Sequence, residues 1–481
     1  MHQSGTAVKN RIDMVNGPLF VNIIRFLMPL IATNLLQQLY QSADMVIAGM
    51  SSEPDAVGAI GSTGAYLALI RNIFIGFSVG ASVVVARNIG AEEKEDTSRS
   101  VHTSICMSAL FGIIGALIGI ALARPVLVAM GYTGNLLTLA LRYCYIYLAC
   151  MPFLSLTNFL AAILQARGDT RTTLYCLTGT GIMNIVLNLF LVKVVGLSVE
   201  GVAIATAIAN LVSALILWAY LAKNGGDCSV RFRKLRMHKE QFIDVFRVGF
   251  PAGVQSALFS VSNMVIQSSI LRVNNAVTPA GSAYAPVIKG NAAATDIETF
   301  IFQALGATTV CAGAFTAQNV GAGNYRRVRK VLGELVLVSV VIALVMSIGG
   351  MLLRDPLLAL YGVRASDDPV AIIAYNSALA KIWWKWPGFF IYAIMNACAG
   401  SIRGLGKSSL SAIISIFTTC VFRVVWIYTA FEYFENLESI FISYPISWLL
   451  SVIIFLPLFF SIVKGKVRAE EKKKALRENN A

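Results

Sequence analysis

The sequence predicts an all-α integral membrane protein: 12 transmembrane helices in two pseudo-symmetric six-helix bundles, a parallel repeat about an axis along the membrane normal. Composition is the first reason. The chain is 57% hydrophobic and 13% charged, about half the charged share of a soluble protein. Long clean runs are the second, as at 110–122, 335–353 and 446–463. The third is punctuation that occurs twice. Ala86-Arg87-Asn88-Ile89-Gly90-Ala91 returns as Ala317-Gln318-Asn319-Val320-Gly321-Ala322, 231 residues later. Arg167-Gly168 returns as Arg403-Gly404, Pro152 as Pro387 and Pro29 as Pro251, at offsets of 236, 235 and 222. Ordered anchors at near-constant spacing mark a duplicated unit, and in a membrane protein a duplicated unit points to a carrier.

A span needs about 20 apolar residues. On that measure the helices fall at 18–48, 57–86, 99–123, 137–165, 172–194 and 200–222, then at 242–270, 284–317, 331–353, 370–401, 409–430 and 440–463. The expected organisation is a first bundle (1–223) holding the ion site, a basic linker (224–240), a second bundle (241–465) and a charged tail (466–481). Residues 1–17 are polar and lack the short apolar core of a cleavable signal peptide, so insertion through the first helix is expected. The linker carries Gly225-Gly226 and is long enough to let two halves rock.

Loops on the N-terminal side hold 26 Lys and Arg, the opposite loops 5. The positive-inside rule then places both termini in the cytoplasm of a plasma (inner) membrane protein. It also accounts for the net charge of +14 through topology and lipid headgroups, without nucleic acid. The basic runs at 231–239 and 464–477 read first as anchors.

Eight cysteines and three histidines form no CxxC and no metal-ligand spacing. A P-loop and a Ser/His/Asp set are both missing from the pattern, so an enzyme is the least supported class. Transport would draw on an ion gradient or run downhill, with no cofactor beyond H+ or Na+ as coupling ion. A monomer acting on a small molecule is expected.

Chemistry should lie where polar groups stand in lipid, since a charge at mid-bilayer costs at least about 2.5–3.5 kcal/mol. Asp44 is the acid of the first bundle, nine residues before Glu53 and so about 13 Å below that helix end. Asn188 lies about 12 Å from its helix end, with Asn184 one turn deeper on the same face, and Thr206 about 9 Å into the next helix. A carboxylate, two amides and a hydroxyl thus share one depth, an oxygen-rich set suited to a proton or a hard monovalent cation such as Na+ at Asp44. The asparagines also suit plain helix–helix hydrogen bonding.

The second bundle differs. Lys381 and Lys385 stand beside Trp383, Trp384 and Trp386, with Arg423 on the next span. Asp296 and Glu298, 23 and 21 residues before Asn319, are expected near the outer mouth. These charges read as an internal salt-bridge network, or as a cavity wall where Trp384 and Lys385 meet a planar, zwitterionic or anionic substrate.

Taken together, Pro29, Leu39-Tyr40, Asp44, Gly49, Gly80-Ala81, Asn88-Ile89-Gly90-Ala91, Arg167-Gly168-Asp169, Asn184-Ile185-Val186-Leu187, Gly201-Val202-Ala203, Ala205-Thr206, Gln318-Asn319-Val320-Gly321-Ala322 and Arg403-Gly404 resemble the multidrug and toxic compound extrusion (MATE) family, prokaryotic type, over 18–463. The resemblance implies alternating-access antiport, in which H+ or Na+ enters while a drug-like, often cationic, molecule leaves. It also implies that Asp44, Asn184, Asn188 and Thr206 form the coupling site, with Gln37 and Tyr40 on the nearby substrate surface. The family commonly has an aspartate at the position of Asn188, and this departure favours proton over sodium coupling. The stretches 251–267 and 374–395 hold no acid, against a second coupling site there. A flippase or exporter of a lipid-linked or anionic substrate in the same wider superfamily, and a passive channel, are the rival classes.

Overall fold

Unbroken apolar runs leave a lipid-embedded backbone no hydrogen-bond partner but itself, and helix is the local answer. The computed structural model describes residues 11–50, 53, 56–279 and 284–479. Among them the backbone is helical almost throughout and contains no strand. The polar stretch 1–10, which carries most of the signal-peptide expectation, lies outside the described residues.

The first half contains α1 (Leu19–Ala48), α2 (Ala56–Gly90), α3 (Lys94–Ala129), α4 (Gly134–Ala149), α5 (Met151–Arg167), α6 (Thr170–Leu189) and α7 (Val199–Asn224). The second contains α8 (Lys239–Val277), α9 (Pro286–Gly321), α10 (Tyr325–Leu352), the short α11 (Arg354–Leu360), α12 (Pro369–Lys385), α13 (Phe389–Gly404), α14 (Ser408–Ser415), α15 (Phe422–Trp426), α16 (Glu432–Phe434) and α17 (Leu437–Asn479). By length and apolarity 9 described helices can cross a membrane, and α4 with α5 makes a tenth, bent by 47°. The remaining two of the twelve expected spans are α8, whose middle carries Gln255, Asn263 and Gln267, and α12 with α13.

Proline explains the breaks. Pro152 sits in the first turn of α5, just after the α4–α5 bend. Its repeat counterpart Pro387 sits in the 3₁₀ turn Trp386–Gly388 between α12 and α13. Each removes a backbone donor and crowds the preceding carbonyl, so one span in each copy is hinged at the same place. Pro29 and Pro251 remain inside α1 and α8. Wider π-helical turns follow α6 at Phe190–Val194 and flank α15 at Ile416–Val421 and Ile427–Phe431.

The chain forms two compact units. The first takes in Met1–Ala257 with Gly313–Asn324 and Gly404–Ser409. Its interior is built from α2, α3, α5 and α7 around Val84, Val101, Phe159, Leu164 and Leu217, all fully or nearly fully buried. The two copies of the Asn-x-Gly-Ala punctuation meet inside this unit. A Cβ on Gly90 would lie 1.9 Å from the Gln318 carbonyl oxygen, and one on Gly321 would lie 1.9 Å from that of Arg87. Only glycine allows backbones this close. The second unit holds Leu258–Ala312, Tyr325–Arg403 and Leu410–Ala481, with Ile266, Ile270, Phe431 and Phe441 in its interior.

The linker folds into 3₁₀ turns at Gly226–Cys228 and Phe232–Lys234 and is tied to α3. His102 Nε2 accepts the Arg231 N–H at 3.1 Å, and Thr103 Oγ1 accepts the His238 N–H at 3.1 Å. Cys228 and Val230, 2% exposed, anchor it in the hydrophobic interior. Burial pushes the Cys228 thiol up to about 12, against the pull of Arg167 and Arg11.

Candidate functional site

Three helices bring the predicted residues of the first unit together. α1 packs along α6, and α6 along α7. Asp44 comes from the last turns of α1, Asn184 and Asn188 from one face of α6, Thr206 from α7. Asn188 is fully buried and donates its Nδ2 to Asp44 Oδ1 at 2.5 Å. It also lies 3.2 Å from Asn184 Oδ1. Asn184 Nδ2 reaches Thr206 Oγ1 at 3.5 Å, and Thr206 Oγ1 donates back to the Val202 carbonyl at 3.0 Å.

The Asn184 amide can be set two ways, and its neighbours favour the turned one. In the setting just described its Oδ1 also faces Asp44 Oδ1, oxygen to oxygen at 3.0 Å. Such a contact is favourable only with a proton on the carboxyl between them. Turned over, Asn184 Nδ2 donates to a charged carboxylate across the same 3.0 Å and its Oδ1 accepts from the Thr206 N–H at 3.3 Å. That turn leaves two amide nitrogens, those of Asn184 and Asn188, 3.2 Å apart, so Asn188 must shift as well. Which way an amide points is assigned from its network, and beside a carboxylate the Asn184 nitrogen belongs toward Asp44.

Tyr40 lies one turn before Asp44 on α1 and donates its hydroxyl to the Thr178 carbonyl at 3.3 Å. Gly181 makes room for that ring: a Cβ there would fall 1.9 Å from the tyrosine. Gln37, one turn earlier, is exposed. The face of α1 therefore runs from an open amide through a half-buried phenol to the carboxylate.

The supporting polar groups were not singled out from the sequence. Asn210 Nδ2 donates to the Thr206 carbonyl at 2.9 Å, and Thr157 Oγ1 donates to the Asn210 carbonyl at 3.1 Å. Ser213 Oγ donates to Thr180 Oγ1 at 2.7 Å. Hydroxyls are common in spans, so nothing local marks Thr157, Thr180 and Ser213; Asn210, an amide inside a span, carried the same signal as Asn184. Arg71 in α2 was legible by the same argument as Asp44, a charge inside a span; its guanidinium meets the Tyr147 hydroxyl.

In the second unit the predicted charges form the salt-bridge network. Lys381 and Lys385, one turn apart on α12, both reach Glu298 Oε1 of α9, at 3.0 and 2.8 Å. Lys381 also donates to Thr295 Oγ1 at 2.5 Å. Lys385 Nζ sits 3.7 Å from the centre of the Tyr444 ring, and Arg423 lies over the same ring at 4.0 Å while donating Nε to Ser447 Oγ. Glu298 is 3% exposed where it meets the two lysines, and Asp296 is exposed. Trp384 is 46% exposed where Lys385 is 2% exposed, so the two do not line one surface, and Trp386 is fully buried.

With this geometry in place, known proteins supply the family. The MatE family profile matches residues 29–190 and 251–429. The chain is 25% identical over 450 residues to the probable multidrug resistance protein YoeA of Bacillus subtilis (strain 168), covering 92% of this chain and 93% of that protein. It is 25% identical over 259 residues to the multidrug export protein MepA of Staphylococcus aureus (strain bovine RF122 / ET3-1), covering 54% and 57%. A solved structure described as the outward-facing conformation of a multidrug resistance MATE family transporter of the MOP superfamily aligns at a TM-score of 0.85 and 20% identity, over 96% of this chain and 99% of that one. A MOP superfamily transporter from Pyrococcus furiosus, whose description speaks of a binding pocket of reverse polarity, aligns at 0.85 and 20% over 95% and 98%. The fold is that of these carriers, and the chain belongs to the MatE family of multidrug and toxic compound extrusion transporters, multi-pass membrane proteins that move small molecules and are not enzymes.

Proposed function

We propose that this chain is a secondary antiporter that exports drug-like, often cationic, compounds in exchange for protons taken up at Asp44. The observation that carries the reading is the Asp44 carboxyl set between α1 and α6 with Asn188 Nδ2 on its Oδ1 at 2.5 Å: a proton taken up there changes the hydrogen bonds that join α1, α6 and α7. A proton entering from outside thus changes how three helices hold one another, and substrate leaves the adjoining surface of Gln37 and Tyr40. The relatives' names support drug export. The donor set supports H+ over Na+, since Asn188 places a nitrogen at 2.5 Å where a hard cation would want oxygen.

The test is efflux of a cationic dye from vesicles with proton and sodium gradients imposed separately. Proton-driven efflux that Asp44→Asn abolishes, with insertion unchanged, is the expected result. Efflux in Asp44→Asn equal to that of the parent protein, or drive by sodium alone, would sink the proposal.

Export of an anionic or lipid-linked substrate is the second reading, favoured by three buried cations, Lys381, Lys385 and Arg423, around one buried carboxylate, Glu298. Competition of dye efflux by anionic but not cationic compounds would select it.

A further inference from the structure

Beside the linker of the first unit lies a cavity of about 620 Å³ that the coupling site does not use. Lys94, Arg99, Arg231, Arg233, Lys234 and Arg236 line it. Only two carboxylates do, Glu95 and Asp227. With its histidines neutral the wall carries four positive charges in excess. Arg99 is satisfied by Glu95 at 2.5 Å and by Asp96 at 3.7 Å. Arg231, Arg233, Lys234 and Arg236 reach no carboxylate among the described residues.

A mobile loop could scatter such charges into water, but here the backbone that carries them is tied to α3 at Arg231, Arg236 and His238. His102, 1% exposed, has Nδ1 at 2.7 Å from the Ser98 carbonyl, so it donates there and presents a bare Nε2 to the Arg231 N–H. Thr103 holds His238 by the same device and donates to the Arg236 carbonyl at 3.5 Å. Gln241 reaches Asp96 at 3.3 Å. Like charges held at close quarters repel unless an anion joins them, and guanidinium groups match phosphate oxygens in number and shape.

The rim decides which anion. Phe232 is 74% exposed and Met237 41% exposed, and Phe232 lies against Trp218 of α7 with ring centres 4.6 Å apart. Apolar side chains open to the surroundings beside fixed cations, at the end of a span, match the boundary between headgroups and acyl chains. We infer that this cavity is a binding site for the phosphate-bearing headgroup of an anionic lipid, which fastens the linker to the first turns of α3. The site is independent of the coupling chemistry at Asp44.

The full-length protein in nanodiscs tests this. Thermal unfolding and native mass spectrometry would compare phosphatidylglycerol with phosphatidylcholine, and phosphatidylcholine with added inorganic pyrophosphate. The expected result is retention of phosphatidylglycerol over phosphatidylcholine on the order of tenfold or more, with a raised unfolding temperature. R231Q/R233Q/K234Q/R236Q should lose both effects and K464Q/K466Q/R468Q in the tail should keep them. If the quadruple variant does not fold in phosphatidylcholine, R233Q/K234Q replaces it, both residues being exposed. Equal protection by pyrophosphate would overturn the lipid assignment in favour of a soluble phosphate. Undiminished retention in the linker variant, or its loss in the tail variant, would overturn the site itself.

Discussion

Asn188 donates to Asp44 across 2.5 Å, an amide standing where the family commonly has an acid. Asn188→Asp would replace that nitrogen with oxygen and give the site two carboxylates, the pairing a hard cation prefers. Efflux driven by an imposed sodium gradient should then appear in the variant and be missing from the parent. Separate gradients in vesicles read the difference.

Among the described residues Glu298 is the one carboxylate bridged to the two buried lysines, and the direction of truncation should therefore matter. Glu298→Gln leaves two unpaired ammonium groups in the interior and is expected to destabilise by about 3–5 kcal/mol. Lys381→Met leaves the Glu298–Lys385 pair intact and should be much milder. Unfolding temperatures in detergent rank the two, and equal losses would count against the shared bridge.

Gly90 and Gly321 should resist even a methyl group. Alanine at either puts a Cβ 1.9 Å from a backbone oxygen, so two helices must part. A loss of about 1–3 kcal/mol is expected for each single change. The double change should cost less than the two singles added, because one separation relieves both contacts. Thermal unfolding of the four forms measures this.

Cys228 should be chemically silent in the native protein. Its thiol is 2% exposed and pushed up to about 12 by burial. The nucleophilic thiolate appears only as pH approaches that value, well above neutrality. Maleimide at pH 7.5 should leave Cys228 unlabelled until the protein is unfolded, as read by mass spectrometry of the linker peptide.

Much of this was legible in the chain because lipid imposes a simple rule on sequence. Of the twelve spans expected from apolar runs, ten are long and apolar enough among the described helices. Of the four repeated prolines, Pro152 and Pro387 fall at breaks while Pro29 and Pro251 lie inside continuous helices. The set of Asp44, Asn184, Asn188 and Thr206 was legible for the same reason, since each is a polar group with few reasons to be in a span. What escaped depends on tertiary pairing. No local pattern says that Thr157, Thr180 and Ser213 back the site. Nor does a lone His102 announce that it accepts the Arg231 N–H of the linker. Arg71 is different: its signal was present, in an arginine inside a span.

The duplicated frame carries one more consequence. Carrying Asn188 forward by the offset of 235 that relates Pro152 to Pro387 lands on Arg423. One copy of that slot neighbours a carboxylate able to gain and lose a proton; the other holds a guanidinium that stays charged at any pH a cell meets. If Asp44 alone counts protons, each cycle draws on one. The steepest ratio of a neutral cargo the carrier can then sustain is about tenfold for every 1.4 kcal/mol in the proton gradient. On that proposal the concentrating power would be set by the single titrating carboxyl of the first copy.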